Sequence, residues 1–322
     1  MKAAVYRRNG PPDVFEYVDV PDPRCRPNGV LVQVEAISIE GGDTLHRAGG
    51  ALVGDPHIVG YQCAGTVIEV GTEAGSAGVA VGDRVVATMA HGSHAELVAV
   101  PAASVWKVPE GADLIAIACV PIAFGTAHDC LIEFGRLREG ETVLVQAAAG
   151  GVGVAAVQLA KRAGATVLGT ASSLERLERI RELGLDHGID YSEADVPSEV
   201  RRLTDGKGAD VVVDSVGGAT LAGSLRALAY RGRCITVGQA GRDPKPIDVS
   251  VLMSGNQSLT GVFLGAEIAT PRARQMIADL IDDVAAGRLR VLVDRTFRLA
   301  EAADAHAYVE SRQAVGRVVL IP

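Results

Sequence analysis

Gly150, Gly151 and Gly153 are the first residues in this sequence whose spacing implies chemistry. They stand inside TVLVQAAAGGVGVAAVQLAKRAGATVLGTASSLER, residues 142–176. Residues 143–147, apolar but for Gln146, are a run short enough for a buried strand. A helical stretch follows from 154 to about 164, and 167–170 is a second apolar run. Strand, glycine turn, helix, strand makes one βαβ unit. Glycines at such a turn let the backbone approach a pyrophosphate. The helix start, here Gly151, Val152 and Gly153, aims unpaired N–H groups at it. The frame Gly151-x-Gly153-x-x-Ala156 has the permitted final alanine of a dinucleotide fingerprint, whereas Ala148-x-Gly150-x-x-Gly153 has alanine in its first place.

The end of the second strand selects the dinucleotide. A site for NAD places Asp or Glu there to hold the ribose 2′-hydroxyl. This sequence places Ser172 and Ser173 there, with Arg176 three residues on. Small hydroxyls and a guanidinium suit a 2′-phosphate, which needs donors and positive charge. Glu175 is close, but the spacing Ser172-x-x-Glu175 predicts a capping box that turns this carboxylate to the helix start.

These residues need a scaffold. Strands at 187–190, 210–214, 233–237 and 259–263 alternate with helices at 174–183, 196–203 and 221–229, giving six strands in a doubly wound parallel sheet. Ligands bind such sheets at the carboxyl ends of the strands. Tyr191, Val216, Gly238, Gln239, Phe263 and Leu264 follow strands and join the cofactor candidates, with Thr126 on a helix at 123–134. Residues 1–120 differ. Short strands at 2–6, 15–20, 30–37, 65–70, 83–88 and 95–100 are broken by Gly and Pro, with one helical turn at 43–47. After an amphipathic helix at 271–286, residues 290–322 regain β character and are expected to complete the first domain; 121–289 form the second.

The bulk properties exclude several functions. In 322 residues, 48% are apolar and the formal net charge is −8, with no Lys/Arg cluster for nucleic acid or an anionic membrane. No stretch resembles a signal peptide or reaches the length of a membrane span, so a cytoplasmic protein is expected. The five cysteines make no C-x-x-C pair and are expected to be reduced and mostly buried. His91 and His94 have ligand-like spacing but no evident third ligand, and are expected at the surface.

Further blocks carry a resemblance: GYQCAGTVIEVG at 60–71, GDRVVA at 82–87, DVVVDSVGG at 210–218, RGRCITVG at 231–238 and ESRQAVGRVVLIP at 310–322. With the glycine block they resemble the medium-chain dehydrogenase/reductase superfamily, and within it the zinc-independent quinone oxidoreductases, the group of zeta-crystallin. The resemblance implies a GroES-like β domain and a Rossmann domain with the cofactor in the cleft between them. It assigns 2′-phosphate roles to Arg176, Tyr191 and Arg312, and hence NADPH as cofactor. It also implies a homodimer paired through the sheet edge at 259–263.

Zinc members of the superfamily carry Cys near position 40 and a G-H-E motif. Here Glu40 and Gly60-Tyr61-Gln62 stand instead, so no metal is expected. Quinone-reducing relatives carry N-F-I-D-T-Y where this chain has Glu40-Gly41-Gly42-Asp43-Thr44-Leu45. Glu40 is therefore expected to face the nicotinamide and stabilise its positive product, and Tyr61 or His46 to supply a proton. The activity expected is transfer of a hydride, or electrons, from NADPH to a quinone. The alternatives are reduction of an α,β-unsaturated carbonyl and noncatalytic NADPH binding.

Overall fold

From its first residue the chain runs through short strands divided by Gly and Pro: β1 (Lys2–Val5), β2 (Glu16–Asp19), β3 (Gly29–Ser38), then α1 (Gly41–Gly49), β4 (Gln62–Val70), β5 (Arg84–Thr88), β6 (Leu97–Pro101), β7 (Val105–Lys107) and α2 (Leu114–Ala118). A computed structural model describes residues 1–75 and 78–322. β1 and β2 form an antiparallel ribbon. β3 pairs antiparallel with β4 and β6, β4 with β5, and β5 with β7. Period-two alternation along β3 sends Val30, Val32 and Val34 into one core with Val67, Val85 and Val98.

The second stretch alternates strands and helices: α3 (Val120–His128), β8 (Thr142–Val145), α4 (Gly151–Arg162), β9 (Thr166–Ala171), α5 (Leu174–Glu178), β10 (His187–Asp190), α6 (Val196–Leu203), β11 (Ala209–Asp214), α7 (Gly218–Arg226), β12 (Leu228–Thr236), β13 (Ser258–Gly261) and α8 (Leu264–Glu267). The sheet order is β10-β9-β8-β11-β12-β13, and every pairing is parallel. All six carboxyl ends therefore lie along one edge. The order reverses between β8 and β11, the switch point at which such sheets bind ligands.

The tail, α9 (Pro271–Ala285), β14 (Val293–Arg298), α10 (Ala302–Glu310) and β15 (Arg317–Ile321), turns back to the first sheet. β15 pairs antiparallel with β3 and parallel with β14. The compact units are Met1–Ile122 with Ile268–Pro322, and Ala123–Glu267. α9 thus belongs to the first unit, where the sequence division at 289/290 had put it in the second. Trp106 is the reason: its Nε1–H donates to the Arg274 carbonyl at 3.0 Å and its ring lies under the Arg274 guanidinium at 4.7 Å.

Other elements depart from the sequence reading. The single turn at 43–47 is the nine-residue α1. Its start is fixed by the Glu40 N–H donating to Asp43 Oδ2 at 2.7 Å. The helix expected over 174–183 stops at Glu178, and a separate 3₁₀ turn, Arg181–Leu183, leads into the left-handed Gly184. The helix expected over 123–134 starts earlier, at Val120, and passes into a π-helical turn at Asp129–Glu133. β7 and α2, three and five residues long, are too short to show a period. No helix among the described residues is long and apolar enough to cross a membrane.

Candidate active site

The glycine turn lies where the sequence puts it, between β8 and α4. Gly150, Gly151 and Val152 are partly open to solvent and Gly153 is buried. The first N–H groups of an α-helix have no partner within it, so those of Gly151, Val152 and Gly153 are available to an anion. Gly153 brings the helix down onto the turn: a Cβ there would lie 2.4 Å from the Ala147 carbonyl and 2.6 Å from Ala148 Cα. Gly153→Ala is expected to cost about 1–3 kcal/mol. Gly150→Ala, whose Cβ meets only the Ala147 oxygen at 3.3 Å, is the control. Thermal midpoints compare the two, and equal values would remove the close-approach role of Gly153.

At the end of β9 the side chains expected to bind a 2′-phosphate do meet. Arg176 Nη1 donates to Ser172 Oγ at 3.0 Å, and the Arg176 N–H donates to Ser173 Oγ at 3.4 Å. The capping box predicted for Ser172 and Glu175 is corrected: the cap of α5 is Ser173, because β9 runs on to Ala171 and moves the helix start by one residue. The Tyr191 N–H donates to the Ala171 carbonyl at 3.1 Å, which fixes the tyrosine backbone beside this cluster while its side chain stays exposed. Arg312 is exposed and belongs to the other compact unit.

The loops after β11 and β12 are laced together. The Gly241 N–H donates to the Val216 carbonyl at 2.8 Å and the Ala240 N–H to the Ser215 carbonyl at 3.2 Å. Gly238 packs so close that a Cβ would lie 2.8 Å from the Ser215 carbonyl. Gln239 is exposed, Phe263 is 76% exposed, and Leu264 and Thr126 are buried.

In the first unit, Glu40 is not a loop carboxylate open to the surroundings. It is 4% exposed and its Oε1 meets the Arg317 guanidinium of β15 in a short ion pair. The same oxygen accepts from Gln62 Nε2 at 2.5 Å and from Ser38 Oγ at 3.4 Å. Arg317 also donates to Ser38 Oγ and to the Ile39 carbonyl. Burial pushes the Glu40 carboxyl up against the pull of Arg317. Burial works against the Arg317 charge too, yet Glu40 holds its pKa above the ordinary value. Arg317 and the orienting Gln62 had no signal in the sequence reading.

Tyr61 faces Gly42, whose missing side chain makes room: a Cβ there would lie 2.5 Å from the Tyr61 ring. Burial pushes the Tyr61 phenol up to about 12. A recess of about 530 Å³ is lined by Tyr61 with Gly42, Leu45 and His46 of α1. Tyr6 and His46 share a hydrogen bond, Oη to Nδ1, at 3.1 Å. The expectation of two surface histidines holds only for His91. His94 is fully buried and shares a 3.0 Å hydrogen bond, Nε2 to Nε2, with His306 of α10. Four of the five thiols are buried and none is in a disulfide; burial pushes the Cys63 thiol up to about 12.

Two family models match: an alcohol dehydrogenase GroES-like domain over residues 26–110 and a zinc-binding dehydrogenase domain over 151–282. A 2-haloacrylate reductase from a Burkholderia species is 38% identical across 99% of this chain and 98% of its own length. A quinone oxidoreductase from Pseudomonas aeruginosa is 37% identical across 97% of each. The crystal structure of an Escherichia coli quinone oxidoreductase complexed with NADPH is similar with a TM-score of 0.94, at 28% identity, over 100% of both chains.

Proposed function

The chain belongs to the zinc-independent quinone oxidoreductase group of the medium-chain dehydrogenase/reductase superfamily, and from that premise we propose that it is an NADPH-dependent oxidoreductase that passes a hydride to a quinone without a metal. The observation that carries the reading is the cluster of Ser172, Ser173 and Arg176 at the end of β9, where an NAD site needs a carboxylate. The NADPH in the Escherichia coli relative supports it. The residues fit the cofactor. The buried Gly153 leaves the first turn of α4 open to the pyrophosphate, Arg176 and the two serines hold the 2′-phosphate, and Tyr191 adds to that end. Val216, Gly238, Gln239, Phe263 and Leu264, with Thr126, hold the remainder.

Bound NADPH supplies the hydride; the protein supplies orientation and exclusion of water. A quinone needs no protein acid, because water protonates the hydroquinone anion. The donors at the positions of the zinc motif support chemistry without metal. Glu40 is engaged by Arg317, and Gln62 is spent on Glu40 and on the Ile122 N–H, which donates to its Oε1 at 3.1 Å. We place the protein in the cytoplasm, as a homodimer paired along the exposed edge of β13.

The test is NADPH oxidation by the pure, chelator-treated protein with 1,4-benzoquinone, 9,10-phenanthrenequinone, an enone and an enoyl thioester. Turnover of quinones supports the reading. Turnover of the enone or the thioester alone moves it to double-bond reduction, the second reading favoured by the 2-haloacrylate reductase, whose named substrate is an α,β-unsaturated acid. Tight NADPH binding with no turnover makes the protein a binding module. Arg176→Ala is expected to raise KM for NADPH about 10–100-fold, the loss of one or two charge-assisted hydrogen bonds, and to leave KM for NADH unchanged. An equal rise for both cofactors would take the 2′-phosphate role from Arg176.

A further inference from the structure

A line of buried polar side chains runs under the carboxyl ends of three strands. The Ala147 N–H donates to Thr170 Oγ1 at 3.2 Å. Thr170 Oγ1–H donates to Gln146 Oε1 at 2.7 Å, and Gln146 Nε2–H to Ser224 Oγ at 3.0 Å. Ser224 Oγ–H donates to Asp214 Oδ2 at 2.7 Å. Asp214 Oδ1 accepts from the N–H groups of Val216 and Gly217 at 2.9 and 2.8 Å. Thr170, Ser224 and Asp214 are 0% exposed and Gln146 is 3% exposed.

The side-chain donors all run one way. Each hydroxyl and amide from Thr170 to Ser224 passes its proton toward the next, and the line ends on a carboxylate. Reversal is barred at both ends. The Ala147 N–H can only donate, and Asp214 accepts at both oxygens, from Ser224 and from two backbone N–H groups. Such a line polarises its members together in a medium of low dielectric, so it works as one unit and loses most of its effect with any member. Its first donor is the residue before Ala148 in the glycine turn, held at a φ of 50°, in the left-handed region. A left-handed alanine persists only where its surroundings hold it. Its last acceptor holds the turn that carries Val216.

We propose that Gln146, Thr170, Ser224 and Asp214 are positioning residues that lock the glycine turn and the turn after β11 into one rigid cradle for the dinucleotide. The proposal rests on the NADPH reading given above. The cradle is preset before the ligand arrives, so its loss appears as weaker NADPH binding and not only as lower stability. All four side chains are buried, so kcat with a saturating acceptor is a separate readout.

The test is a double-mutant cycle on NADPH affinity, read by fluorescence titration of the full chain, with thermal midpoints measured beside it. Thr170→Val keeps the shape and removes the hydroxyl; Thr170→Ser keeps the hydroxyl; Ser224→Ala removes the second relay. Thr170→Val and Ser224→Ala are each expected to raise the NADPH Kd about tenfold. The double variant is expected to stay within about twofold of the weaker single, and Thr170→Ser to stay within about twofold of wild type. Single variants with lowered thermal midpoints and unchanged Kd would overturn the proposal and leave the line a purely structural feature. So would a double variant about a hundredfold weaker, since independent contacts multiply. If the wild-type chain itself binds no NADPH, the functional reading has failed, and that result is distinct from either outcome.

Discussion

Glu40→Gln is expected to unfold at a temperature roughly 10 °C below wild type. The carboxylate faces a guanidinium in a site where both side chains are at most 7% exposed. Taking one charge from a buried pair leaves the other without compensation and costs about 3–5 kcal/mol. Arg317 would keep its hydrogen bonds to Ser38 Oγ and the Ile39 carbonyl, but those are neutral acceptors. At about 2–4 °C per kcal/mol for a chain somewhat shorter than this one, the midpoint falls by that order.

The double variant Glu40→Gln/Arg317→Met separates this cause from simple loss of packing. Replacing both members of a buried pair by groups of similar volume is often neutral, so the second substitution is expected to restore most of the lost stability. A double variant as unstable as the sum of the two singles would refute the ion-pair account. The kinetic consequence differs from the one the sequence implied. Glu40 heads α1, whose Gly42, Leu45 and His46 line the Tyr61 recess. Its carboxylate is already neutralised by Arg317 and has little charge left to offer a positive nicotinamide. Any loss of kcat in Glu40→Gln is expected to be recovered in the double variant, as befits a residue that positions α1.

The sequence and the fold agree best where one signal suffices. Strands of a parallel sheet are buried on both faces, so the middles of β8 (143–145) and β11 (211–213) stand out as short apolar runs. The residues just beyond such strands are cofactor candidates by topology alone. This is why Ser172, Ser173, Arg176 and Val216 stand as cofactor candidates from the sequence alone. One-residue errors arose where two neighbours can do the same task, as with Ser172 and Ser173 at the cap of α5. The larger misses have another origin. Arg317 reaches Glu40 across 277 residues and His306 reaches His94 across 212, and no local pattern encodes either pairing. The same holds for α9, whose amphipathic period predicts a buried face but not that Trp106 is its partner. The line from Thr170 to Asp214 left one trace in the sequence, an acid closing the three-valine run at 211–213. Its other members are ordinary Gln, Thr and Ser until three strand ends bring them together.

The His94–His306 pair makes the first unit sensitive to acid at a pH where carboxylates are still ionised. Burial pushes His94 down to about 3 and holds His306 well below its ordinary value, with His94 and the nearby Arg47 charge adding to the effect. A histidine with a depressed folded pKa stays neutral in the native state, while the unfolded chain takes up a proton below about 6.5. Its contribution is therefore complete above that pH and is lost as pH falls, at about 1.4 kcal/mol per unit for each such group. The buried Asp43 and Glu40 work in the opposite direction, because burial raises both carboxyls and the folded state binds those protons first. The acids held low by cations, Glu141 and Asp186, lose their contribution only below their ordinary values of 4.5 and 3.8. The window from pH 6.5 to 4.5 thus reports the histidines against Asp43 and Glu40. Comparison with His306→Leu removes one histidine and leaves Asp43 in place. Urea unfolding across that window should show the wild-type stability falling more steeply than the variant's by about 1.4 kcal/mol per unit, close to 3 kcal/mol over the range. The variant starts lower at pH 7.5, having lost the 3.0 Å bond to His94, and the two curves converge toward pH 4.5. Parallel curves would mean that His306 is protonated in the native state, and the buried neutral pair would have to be abandoned.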